Sequence, residues 1–219
     1  MSRGNSKFVT VLGSSYFEPI SNLVEKLVVR EHRRGNKVQS GYYEHGYSAS
    51  IILLLVAMFE SYVSRLRFVQ GSKVPHSKRT AIDVVLCVYP KLRHRKSLEE
   101  VYVVRDLLIH NHLWEVDYEY GGSPNMVLRN ASRHPAYGDR KFHDRVNLKT
   151  MRTKAQQLHV LPTCVDRRDV VKVFDVIWKM LLLFESTDRF QCYVSHVHVR
   201  FNKKTRLFSE LRDEISCTL

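Results

Sequence analysis

Three residues within six positions, Arg105, Asp106 and His110, bring together a fixed cation, a carboxylate and a group that gains and loses a proton near neutral pH. Their neighbours Val103, Val104, Leu107, Leu108 and Ile109 are all aliphatic. Burying a charge is costly unless it is paired, so charged residues in such a setting mark a functional cleft or a subunit interface. Asp106 and His110 stand one helical turn apart, a spacing that predicts a carboxylate–imidazole hydrogen bond and a raised imidazole pKa. Arg105 and His112, seven apart, share a face and offer a second pair. Arg105 and His110 are about 140° apart around the axis at roughly 100° per residue, so one helix does not aim both at one point. A second copy of the helix, as in a symmetric dimer, lets them converge.

The spacing R-x4-H is weak on its own. With 21 arginines and 11 histidines, about one match arises by chance, and a second occurs at Arg129 to His134. That copy precedes Pro135, where a helix is disfavoured. The first lies in a helix that Ser97-Leu98-Glu99-Glu100 is expected to start as a capping box.

The elements around it read as helices. One follows Pro19, with Ile20, Leu23, Val24, Leu27 and Val28 as its stripe. A longer one covers 47–69 and is apolar nearly all round, as a central bundle helix would be. Its most apolar run, 49–59, is too short to span a bilayer. Within it Glu60 calls for a cationic partner, and Arg105 is the expected one, an inference from burial. A short helix spans 81–88. Asp166 and Asp169 cap another long one, with Val170, Phe174, Ile177, Leu181 and Phe184 facing inward. Residues 114–128 read as a β-hairpin or extended excursion, 191–201 as a strand and 207–215 as a short closing helix.

Residues 129–154 read as a basic loop. They hold eight Arg or Lys against Asp139 and Asp144, nearly half of the chain's +13. A solvated face accounts for such a run, yet Arg129, Arg133, Arg140, Lys141 and Arg145 are also the best candidates for phosphate-backbone contacts. The charge favours a polyanionic partner, nucleic acid before an anionic membrane. Four scattered cysteines and a polar N-terminus are those of a reduced, cytoplasmic protein. His110 with His112, and His196 with His198, lack carboxylates or cysteines at metal-site spacing, so surface histidines are expected and no metal or cofactor. Tyr42, Tyr43 and Tyr47, with His45, can stack on bases, although packing is the commoner role of aromatics at a helix start.

The long helix with Phe59-Glu60-Ser61, followed by Val104-Arg105-Asp106-Leu107-Leu108-Ile109-His110-Asn111, resembles the HEPN superfamily of RNA-cleaving toxins and defence proteins. The resemblance covers about 42–113. It implies a mainly α helical bundle; the residues themselves add a single domain (1–219), a small β-hairpin or extended insertion at about 114–162 that is not part of the family's core signature, and a C-terminal strand. It further implies metal-independent attack of a ribose 2′-OH on the adjacent phosphate, with His110 as general acid or base, Arg105 clamping the phosphate and Asp106 orienting His110. Glu60, Asn111 and His112 are supporting candidates. Implied partners are RNA, a second copy completing the site, and a cognate antitoxin or regulator, in a toxin or antiphage role. The alternatives are a non-catalytic module binding RNA or protein and, behind it, a basic domain docked on a membrane.

Overall fold

The computed structural model describes residues 12–32, 38–110, 114–121, 126–133, 140–187 and 193–219. It is a mainly helical bundle built on one long helix. After α1 (Phe17–Val28) comes α2 (Tyr42–Gln70), 29 residues and so about 44 Å long. On α2, Ile51, Ile52, Leu55, Val56, Met58 and Phe59 are essentially inaccessible, because α1, α3 (Ala81–Val88), α4 (Arg95–His110) and α6 (Arg167–Thr187) pack against it. By length and composition α2 is apolar enough to cross a bilayer, but half of its apolar window is buried in the fold. A 3-10 turn, Leu12–Tyr16, closes on its side. There Gly13 N–H donates to Ser61 Oγ at 2.8 Å, and a Cβ on Gly13 would meet the Tyr62 ring at 2.7 Å.

A buried ion pair ties the remote end. Arg167, at the start of α6, donates from Nη2 to Glu44 Oε2 at 2.6 Å and to the carbonyls of Leu27 and Arg30, and from Nη1 to Thr218 Oγ1. One side chain thus joins α1, α2, α6 and the C-terminal turn after α7 (Leu211–Ser216). Asp166 and Asp169 cap α6 reciprocally: Asp166 Oδ1 accepts from the Arg168 amide and Asp169 Oδ2 from the Asp166 amide.

Among the described residues the strands form three separate antiparallel pairs. The first pair, β1 (Trp114–Tyr120) with β2 (Met126–Arg133), is antiparallel as expected over 114–128, but β2 runs on to Arg133, into the stretch expected as loop, and the register shifts at Asp117/Tyr118. Its inner face, including Trp114, Val116 and Leu128, packs with Val38, Leu161 and Cys164. The basic stretch beyond the hairpin is not the expected loop. Residues 140–153 form α5 (Arg140–Arg145) and the short pair β3 (Val146–Asn147) and β4 (Arg152–Thr153). Phe142, Val146 and Val160 pack against Val103 and Leu107 of α4, so apolar residues spaced among the arginines and lysines decide the structure. The last pair, β5 (His198–Phe201) and β6 (Lys204–Leu207), is shorter than the strand expected over 191–201, whose first two residues lie outside the described set.

The capping box expected at Ser97 is absent, because α4 already begins at Arg95. Glu100 instead accepts from the amides of Ala155 and Gln156 at 2.8 and 2.7 Å, and Ser97 Oγ accepts from the Gln156 side chain. Both residues anchor the loop after β4. A capping box does exist one helix earlier, between Thr80 and Asp83. Pro19 is the third residue of α1, not its first.

Candidate functional site

On α4, Tyr102, Arg105 and Asp106 fall at i, i+3 and i+4 and so present one face. That face forms one wall of a groove of about 990 Å³ between α2, the start of α3, α4 and α5. Arg105 is held at both ends of its guanidinium. Nη2 lies 2.7 Å from Glu60 Oε1 on α2, the pairing expected for the lone acid of that apolar stretch, and Nη1 lies 2.9 Å from Asp106 Oδ1. The same guanidinium sits 5.0 Å from the Tyr102 ring centroid. Lys141 on α5 approaches from the other side, with Nζ 3.6 Å from Asp106 Oδ2 and 5.5 Å from the Tyr102 centroid. Two carboxylates and two cations thus surround one aromatic ring. The Tyr102 hydroxyl is buried beside Glu60, and burial first, then the Glu60 charge, pushes its pKa well above the ordinary phenol value.

The Arg105 side chain is 23% exposed. Its fork already grips oxygens in the planar manner it would use on a phosphate.

His110 stands apart. It is exposed at the C-terminal end of α4, does not line the groove, and among the described residues forms no hydrogen bond or ion pair. The expected Asp106–His110 bond is not formed: Asp106 lies between Arg105 and Lys141, and two fixed cations outcompete one solvated imidazole for its oxygens. Arg105 and His110 do not converge within one chain. Asn111 and His112 lie outside the described residues.

The five cations proposed for a nucleic-acid backbone are separated. Arg140, Lys141 and Arg145 line the groove, where Arg145 pairs with the buried Glu99. Arg129 lies on the hairpin, 2.6 Å from Glu119, and the Arg133 side chain is outside the described set. The groove also takes in Arg67, Arg79 and Arg95, which the sequence pattern did not single out. Arg95 could have been found from its i,i+4 spacing to Glu99, an ion pair in the structure. Arg67 and Arg79 arrive from the end of α2 and the approach to α3, and nothing local signals their convergence.

A second polar cluster has no signature in the sequence. His159 Nδ1 lies 2.8 Å from Asp169 Oδ2, and its Nε2 is 2.7 Å from Arg152 Nη2. Since arginine can only donate, Nε2 accepts and the ring proton sits on Nδ1, donated to Asp169. His159, Asp166 and Asp169 bring ligand-type atoms within 4.8 Å of one another. The two carboxylates are already engaged in capping α6, a structural use. His196 precedes β5 and its carbonyl is 2.9 Å from His198 Nδ1, so the two rings do not share a strand face.

Comparison with protein-family models, with curated proteins and with solved structures finds no match to this chain.

Proposed function

We propose that the chain is a HEPN-type endoribonuclease acting as a homodimer. The observation that carries this reading is Arg105, gripped by Glu60 across the α2–α4 pair, with an exposed imidazole, His110, at the end of the same helix. In this reading His110 takes the proton from a ribose 2′-OH, or returns one to the departing 5′-oxygen, as an imidazole near neutrality can. Arg105 stabilises the charge that gathers on the phosphorane oxygens. The 2′-oxygen forms a bond to phosphorus, the P–O5′ bond breaks, and the products are a 2′,3′-cyclic phosphate and a 5′-hydroxyl. DNA lacks the attacking group, so RNA is the substrate. Because Arg105 and His110 point apart on α4, the second copy supplies the missing half of each site. Arg140 and Lys141, at the groove, serve as backbone contacts. The biological role is that of a cytoplasmic toxin or antiphage effector, checked by an antitoxin or regulator. Purified protein incubated with total RNA in EDTA, beside Arg105→Ala and His110→Ala, tests the assignment: equal cleavage by all three, or by none, contradicts it.

One observation favours a second reading, a non-catalytic module that binds RNA or a protein. Asp106 is committed to Arg105 and Lys141, which leaves His110 without an orienting carboxylate among the described residues. Such a module would show salt-sensitive RNA binding that survives His110→Ala and weakens when Arg140, Lys141 and Arg145 are neutralised.

A further inference from the structure

The start of α2 carries tyrosines that the groove does not use. Tyr47 is half-buried and packs against the main core. Tyr43, one turn earlier, stacks on it with ring centroids 6.5 Å apart and planes 18° from parallel. The Arg30 guanidinium lies 4.5 Å from the Tyr43 centroid, and among the described residues no carboxylate pairs with it. Tyr42 meets Tyr43 edge-on at 5.4 Å. Tyr42 is 81% exposed and Tyr43 53% exposed, beside Val29 at 70%. Large rings held in fixed planes but left in water are unusual, because burying them would be favourable.

We propose that Tyr42 and Tyr43, backed by Tyr47 and flanked by Arg30, form a stacking platform for unpaired bases of single-stranded RNA. Aromatic faces beside an unpaired cation are what single-strand binders use, since every base offers a π-face and every linkage a negative charge. A protein partner would be drawn by the apolar rings alone. The Arg30 guanidinium, which pairs with no carboxylate among the described residues, and the chain's +13 charge argue for the polyanion. A duplex hides its base faces and cannot use the platform. The platform is separate from the Arg105 groove, since Glu60 lies 18 residues further along α2, about 27 Å at the helical rise. It therefore gives the chain single-strand preference without taking part in bond cleavage. The inference rests on RNA being the ligand, not on its being cut.

The test is fluorescence-anisotropy binding of labelled oligouridylate RNA to the full chain carrying His110→Ala, which keeps the probe intact. Oligouridylate with abasic positions and oligouridylate annealed to oligoadenylate run beside it. The platform predicts that the intact single strand binds more tightly than either control. Tyr42→Ala with Tyr43→Ala is expected to weaken single-strand binding by about tenfold or more, down to the level of the abasic probe. Tyr42→Phe with Tyr43→Phe keeps the ring faces and is expected to hold the affinity. Because both rings are exposed, the alanine variant should retain the wild-type circular dichroism. Wild-type affinity in the double alanine variant, or equal binding of intact and abasic probes, overturns the proposal. If RNA binds in this pattern but the wild type does not cut it, the nuclease reading falls and the platform stands.

Discussion

Arg105 Nη2 and Glu60 Oε1, 45 residues apart in sequence, meet at 2.7 Å and join α4 to α2 at the wall of the groove. Both side chains are partly solvated, so the pair contributes little to stability, about 1 kcal/mol or less. Its consequence is orientation.

Glu60→Ala is therefore expected to leave the denaturant midpoint close to wild type. On the nuclease reading it should lower kcat/KM for RNA by about tenfold to a hundredfold, the effect of misplacing Arg105. Glu60→Gln keeps an oxygen acceptor and should recover part of that loss. A variant that unfolds, or one that cuts at the wild-type rate, would show that the pair has another role.

The Glu44–Arg167 pair behaves in the opposite way. Arg167 is 0% exposed and Glu44 4%, so removing one partner strands a charge in the core. Glu44→Leu is expected to cost about 3–5 kcal/mol in urea unfolding. Glu44→Leu combined with Arg167→Met should cost less than Glu44→Leu alone. If the double variant is the worse of the two, the hydrogen bonds of Arg167 to Thr218 and the α1 carbonyls outweigh the charge.

Burial lowers the pKa of His45 below its ordinary 6.5. The unfolded chain then binds the proton more readily than the folded one. The contribution of His45 is fully present above pH 6.5 and is lost as pH falls from there through its folded value. Urea midpoints at pH 7.5 and pH 5 should differ more for wild type than for His45→Gln. An unchanged difference would exclude His45 as the titrating group.

Much of the site's framework is legible along the chain, for local reasons. Glu60 is the lone acid of the apolar stretch 47–69, and an arginine on the next long helix is its expected partner. Asp166 and Asp169 cap α6 because their spacing is itself the geometry of a cap. The features that sequence hides depend on partners distant along the chain. Ser97 and Glu100 have capping-box spacing, but Gln156 and Ala155 claim them across more than fifty residues. Asp106 has the spacing to hold His110, but Arg105 beside it and Lys141 from α5 take its oxygens. The basic stretch hides a folded unit because Phe142 and Val146, which fix it on α4, are sparse among the charges.

The nuclease reading stands on Arg105 and His110 together cutting RNA through the 2′-hydroxyl. The decisive measurement is the cleavage rate, in EDTA, on a defined single-stranded RNA and on the same strand with one 2′-deoxyribose at the mapped cut site. The wild type is expected to leave a 2′,3′-cyclic phosphate and to make no cut at the deoxy position. Arg105→Ala and His110→Ala should each slow cleavage by about a hundredfold or more. Cleavage at the deoxy position, or wild-type rates in both variants, would contradict it.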